Sequence, residues 1–322
     1  MFEPAKITIQ HTSPHIRRKR TASMCMWHVV TALIPTTICA LYFFGLPALE
    51  VIVAAVAVSV GAEWLIARYM MGDAGKASLP AAALTGLLLA LNLPSIAPLW
   101  TVAAGAVFAI GICKMAFGGL GCNIFNPAIG GRVFMLISFP VAMTTWPVPG
   151  VAFQADGHTG ATLLSALKEG AIPDSAYTFV DMLSGNMGGS MGEVSSAALL
   201  LGLAYLLALR VITWHIPTAI IGTVVVLDLC LGIQAGIDIL SGGLLLGAIF
   251  MATDYVTSPM TGKGMLLYGA LIGVITVVIR RWGAYPEGVS FAILIMNGFT
   301  PLINKYMKPR IYGHGLRKEQ TA

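Results

Sequence analysis

Along this chain, long apolar runs alternate with short polar breaks. A run of about 20 apolar residues matches the hydrocarbon core of a bilayer. Five runs come first: Cys25 to Phe44, Leu46 to Met70, Leu79 to Leu93, Ala97 to Cys113 and Val133 to Val148. Five more follow: Val194 to Leu209, Ile216 to Ala235, Leu240 to Ala252, Leu266 to Ile279 and Val289 to Ile303. Asn92-Leu93-Pro94-Ser95 splits the third run from the fourth, and a polar stretch, Pro149 to Glu193, separates the two sets. The pattern predicts an all-α polytopic membrane protein with about ten transmembrane helices in two five-helix halves. Two halves with an odd number of crossings have opposite orientation, the arithmetic of inverted repeats. The pair Asn126-Pro127-Ala128-Ile129-Gly130 and Ser258-Pro259-Met260-Thr261-Gly262 does not establish one, because it follows different spans in the two halves.

Basic residues orient the runs. With Arg17-Arg18-Lys19-Arg20 in the cytoplasm and ten crossings, 16 Lys and Arg fall inside, Lys114 and Arg132 among them, and 3 fall outside: Lys168, Arg280 and Arg281. This divides the chain into a cytoplasmic segment (1–24), a first half (25–148), a periplasmic loop (149–193), a second half (194–303) and a cytoplasmic tail (304–322). The polar start, Met1 to Ser23, has no small-residue cleavage site after a short apolar region, so the first run is expected to begin insertion uncleaved. Composition agrees: 57% of residues are hydrophobic and 10% charged, too apolar for one soluble core. The net charge of +5 does not point to nucleic acid, because the basic residues lie at the ends of runs and no basic patch interleaves with aromatics. The five cysteines form no CxxC pair and read as small buried hydrophobes, with Cys122 in a Gly-rich loop the one to watch for metal chemistry. No metal-ligand set and no catalytic residue is expected.

Thr159-Gly160-Ala161-Thr162 lies in the polar stretch ahead of a helical pattern, Leu163, Leu164, Ala166 and Leu167. Thr159 is a natural N-cap, which makes Thr162 the third helical residue. A phosphate on Thr162 would then meet the free N–H groups of the helix start. An ordinary capped helix with a solvated hydroxyl is the other reading. Four further blocks are too Gly-rich or polar for lipid-facing helix: Gly118 to Ala128, Gly189 to Glu193, Phe250 to Pro259 and Tyr285 to Asn297. Irregular backbone at membrane depth is buried in protein or lines a cavity. Glu63 and Asp228 lie inside apolar runs, where a carboxyl serves an ion path, a cofactor or a protonated structural role. Asn92 and Asn297 are cheaper cases of the same kind. No Lys or Arg falls at comparable depth, so an internal ion pair is not expected.

With Ser13-Pro14-His15, these blocks occur in the order seen in the NqrB/RnfD family, and the chain resembles that family over about residues 13 to 314. The resemblance implies FMN held as a phosphoester on Thr162, with Thr159, Gly160 and Ala161 completing the motif. It implies a bacterial inner-membrane subunit of an ion-translocating oxidoreductase. It also implies other Rnf subunits with flavin and iron–sulfur centres as partners, a flavin transferase for maturation, and electron passage between NADH and ferredoxin. A second, non-covalent riboflavin is known in relatives. Glu63, Asp228, Asn126 and Asp254 are the candidates for an ion site or for that second flavin. The short segment ahead of the first run favours the Rnf branch over NqrB, the corresponding component of the sodium-pumping NADH:quinone reductase. Tyr255 departs from the proline expected there. With no GxGxxG fingerprint in a βαβ setting, NADH is expected on another subunit. The rival reading is a stand-alone channel or secondary transporter, which has no need of the Thr162 tetrad.

Overall fold

The computed structural model describes residues 21–72, 77–147, 159, 160, 162, 164, 168, 179–185, 188–193, 195–232, 235–283, 285 and 287–308. Each apolar run holds helix. Helix α1 (Ala22–Leu65) covers the first two runs and breaks at Gly45, where φ is 65° and ψ is −143°. Pro47 follows closely and has no amide to donate, so the chain restarts rather than continues one rod. A π turn, Ile66–Met70, ends it.

Helices α2 (Leu79–Leu91) and α3 (Leu99–Gly111) have 13 residues each. That is about 20 Å of helix, short of the roughly 30 Å hydrocarbon core. The non-helical chain beyond α2 is packed inside the protein. Gly192 N–H donates to the Leu91 carbonyl at 2.6 Å, and Met191 N–H to that of Leu93 at 3.3 Å. These bonds satisfy backbone groups that hydrocarbon could not.

Helix α4 (Pro127–Ser138) starts ahead of Val133, where the fifth apolar run begins. The Asn126 side chain accepts Ala128 N–H at 3.0 Å and Pro127 occupies the first helical position, so the cap outweighs the polarity of Gly130, Gly131 and Arg132. Pro140 then divides α4 from α5 (Pro140–Thr144). Trp146–Pro147 (β1) pairs antiparallel with Thr159–Gly160 (β2). Helix α6 (Phe179–Ser184) is followed by α7 (Ser196–Ala208), capped by Ser195, and α8 (His215–Cys230). Then come α9 (Ala235–Leu240) and α10 (Leu244–Leu246), the latter continuing as a π turn, Gly247–Met251. Helix α11 (Gly262–Trp282), capped by Thr261, and α12 (Val289–Tyr306) complete the described elements.

Among the described residues, three stretches are long and apolar enough to cross a membrane: Ala22–Met70, Leu99–Phe117 and Gly262–Trp282. Large apolar side chains such as Leu46, Val53, Trp64, Ile112, Val226 and Phe299 face outward, as they do when lipid is the solvent. The molecule is a multi-pass membrane protein. Small residues draw its helices together: a Cβ on Gly269 would lie 2.9 Å from the Ile216 carbonyl of α8.

Candidate functional site

Charges that a soluble protein would expose are turned inward here, in three groups. The first stands at the start of α2. Lys114 Nζ is 2.5 Å from Glu63 Oε2, and Ser78 N–H donates to Glu63 Oε1 at 2.8 Å. Both charged side chains are buried. Beside them opens a cleft lined by Lys114, Asn123, Asn126, Phe250, Thr253 and Asp254. Asn126 spans its floor, capping α4 with its oxygen and donating Nδ2 to the Met251 carbonyl at 3.1 Å. Thr257 donates to Asp254 Oδ2 at 3.2 Å.

The second group surrounds the end of α2. Arg132 forms an ion pair with Glu287 and donates to Asn92 Oδ1 at 2.5 Å. Glu193 lies close by, with Ser190 N–H donating to its Oε2 at 3.3 Å. Burial and the neighbouring Glu287 carboxylate push the Glu193 carboxyl up to about 8, against the pull of Arg132. The third group stands at the end of α11. Arg280 is buried and donates to three carbonyls, those of Asp238 at 2.6 Å, Ser241 at 3.1 Å and Gly242 at 3.2 Å. Arg281 pairs with Asp238 and lies 3.7 Å from Asp228 Oδ1.

The turn Gly242–Gly243 joins the second and third groups. Both residues are left-handed, with φ of 69° and 66°. A Cβ on Gly243 would sit 2.7 Å from Glu193 Oε1 and 3.6 Å from Arg132 Nη1. A Cβ on Gly242 would sit 2.8 Å from Arg280 Nη2 and would overlap Leu164 Cδ1. Only glycine fits either place.

Thr162 and Leu164 are buried at 5% and 7% exposure, and Lys168 faces outward to bond the Gly283 carbonyl. Leu164 and Lys168 each have helical backbone, but Thr162 does not, so it is not the third residue of a helix capped by Thr159. Gly160, which would be its first residue, is extended and paired with Trp146, while Thr159 pairs with Pro147. Ala161 lies outside the described residues, as does most of the polar stretch 149–193.

Three of the four candidates for an ion or second-flavin site meet: Asn126 and Asp254 line one cleft, and Glu63 reaches it through Lys114. Asp228 stands apart, with Asp238 and Arg281. The expectation that no basic residue lies at their depth is overturned. Lys114 and Arg132, counted as cytoplasmic loop charges, are buried and ion-paired, and Arg280 and Arg281, counted as outer loop charges, cap buried groups. A charge at the end of an apolar run turns inward when a partner carboxylate faces it, which the run itself cannot show. Among the cysteines, Cys113 is buried, whereas Cys122 and Cys230 are exposed. Tyr255 sits in a turn and donates to the Val211 carbonyl, so the missing proline costs no local order.

Comparison with known proteins fits these features. The chain is 42% identical over 314 residues to the D component of the Na(+)-translocating ferredoxin:NAD(+) oxidoreductase complex of Acetobacterium woodii, covering 97% of each. It is 41% identical to the D component of the proton-translocating ferredoxin:NAD(+) oxidoreductase complex of Clostridium ljungdahlii, covering 94% of this chain and 95% of that one. It is 40% identical to the D component of the ion-translocating oxidoreductase complex of Stutzerimonas stutzeri, covering 91% and 92%. Residues 9–313 match the model of one family of membrane proteins, and the chain therefore belongs to the NQR2, RnfD, RnfE family.

Proposed function

We propose that this chain is the RnfD component of an Rnf-type complex in a bacterial inner membrane. In this reading it relays electrons between NADH and ferredoxin through FMN esterified to Thr162, coupled to movement of Na⁺ or H⁺ by the whole complex. NADH binds elsewhere in the complex, and the other Rnf subunits and a flavin transferase are its partners. The observation that carries the reading is Thr162 itself: the last residue of a Thr-Gly-Ala-Thr tetrad, in a chain that matches its relatives in these complexes along almost their entire length.

The surroundings suit a phosphate ester. Leu164 packs beside the Arg280 guanidinium, and the Lys168 ammonium bonds the Gly283 carbonyl, three residues beyond Arg280. Bound there, FMN supplies one-electron chemistry. The protein residues hold Leu164, two residues beyond Thr162, against the Gly242–Gly243 turn. The cleft beside Lys114 suits a second, non-covalent flavin, because Asn123, Asn126 and Asp254 offer amide and carboxyl contacts to a ring edge over an apolar wall. Glu63, one ion pair away, is placed to hold or pass a cation into it. Ten crossings with both termini cytoplasmic and the Thr162 loop periplasmic remain the best topology. Setting aside the buried Lys114, Arg132 and Arg280 and the half-buried Arg281, the basic residues still concentrate on the proposed cytoplasmic side.

In-gel fluorescence of the denatured protein from a host that makes the flavin transferase tests the reading. Wild type is expected to fluoresce and Thr162→Ala to be dark at equal membrane abundance. A fluorescent Thr162→Ala band would place the flavin on another residue. An alkaline phosphatase fusion at His158 is expected to be active, and an inactive one would overturn the assigned side.

A further inference from the structure

Thr162 is 5% exposed. Ester formation on it requires a hydroxyl that a transferase and a bulky flavin nucleotide can both reach. The folded arrangement denies that access, and the contacts that hold its neighbours in the chain are specific. Thr159 and Gly160 are strand-paired to Pro147 and Trp146. Leu164 fills the space that a Cβ on Gly242 would take, against Arg280 Nη2. Lys168 holds the Gly283 carbonyl just past α11. Arg280 spends its donors on the carbonyls of Asp238, Ser241 and Gly242, which fixes the turn beneath Leu164.

We propose that the Gly242–Gly243 turn, clamped by Arg280, is a seat for the residues around Thr162, and that Thr162 receives its flavin off the seat and docks afterwards. The second half of this proposal rests on Thr162 being the attachment residue, and the seat does not. In the transfer, Thr162 Oγ bonds to the phosphorus of a flavin dinucleotide. The pyrophosphate P–O bond breaks, the nucleoside monophosphate leaves, and the hydroxyl proton passes to a base on the transferase. Arg280 touches none of the reacting atoms and is a positioning residue.

Gly242→Ala is the direct test, because its methyl collides with Leu164 and its left-handed φ is strained. One arm needs no flavin. In full-length protein in proteoliposomes, Thr162→Cys is labelled with a maleimide and read by peptide mass spectrometry, which separates it from the five native cysteines. Labelling is expected to be slow in the otherwise wild-type chain, at least fivefold faster with Gly242→Ala, and slowed again when Leu164→Ala removes the collision. Equal labelling rates, or no rescue by Leu164→Ala, would overturn the seat. The other arm follows FMN attachment to folded, unmodified protein with purified transferase and FAD. Gly242→Ala is expected to be modified at least fivefold faster than wild type, and an equal or slower rate would overturn the order of events. If the labelling arm behaves as expected but neither protein takes flavin at Thr162, the seat stands and the assignment of the attachment residue fails.

Discussion

The two ends of α2 solve the problem of buried charge differently. At its start, one ion pair, Lys114–Glu63, borders an open, mostly apolar cleft. At its end, Arg132, Glu287, Glu193 and Arg280 crowd around a glycine turn, and several of their polar atoms have no hydrogen-bond partner among the described residues. The first arrangement leaves room for a ligand beside a charge. The second leaves none and fixes the chain that carries Thr162. A buried carboxylate therefore does not by itself mark a binding site; the space next to it decides.

Removing one partner of a pair tests that contrast most strongly. Arg132→Met leaves Glu287 buried and unpaired, and a cost of about 3–5 kcal/mol is expected. Thermal unfolding in detergent should show it as a large loss of stability, with Glu287→Gln in the same background recovering much of it. If Arg132→Met alone is neutral, the pair at the end of α2 is not structural. Lys114→Met should cost a similar amount but also change the cleft, so any non-covalent flavin that copurifies is expected to fall with Lys114→Met and be retained with Arg132→Met in whatever protein remains folded. Equal loss in both would erase the distinction between the two ends.

Smaller effects sharpen it. Asn126→Ala removes the α4 cap, worth about 1 kcal/mol, and a bond to the Met251 carbonyl on the cleft floor. Weaker binding of a non-covalent flavin should accompany the modest loss of stability. Glu193 gives a pH signature with a definite sign. Its folded carboxyl titrates at about 8 against an ordinary 4.5, so the folded state holds the proton more tightly. Its contribution to stability is complete below about 4.5 and is lost as pH rises through 8. Glu193→Gln is expected to flatten the fall in stability across that window, and an unchanged slope would assign it to other groups.

The hydrophobic pattern locates helix in all ten runs because lipid imposes length and apolarity on each. Caps are legible where a polar side chain precedes a helix: Asn126, Ser195 and Thr261 all accept an amide from the first turn. Thr159 is not such a case, because strand pairing with Pro147 competes with capping and depends on contact across the chain. Buried cations escape the pattern for a related reason. Gly130-Gly131-Arg132 reads as a loop before an apolar run, and only the facing Glu287 carboxylate makes it the interior of α4. The Gly-rich blocks signal where irregular backbone is packed, but not that Gly242–Gly243, outside every block, lies under Leu164. Thr162 stands out through its tetrad and the family resemblance, and its chemistry is not legible from spacing alone.

The central assignment is tested most directly by the mass of the proteolytic peptide that contains Thr162, from protein purified out of a flavin-transferase-positive host. The assignment predicts a peptide heavier by one FMN less one water, with fragment ions that locate the addition on Thr162 and on neither Thr159 nor Ser165. A peptide recovered at its unmodified mass, or one modified at another residue, would contradict it.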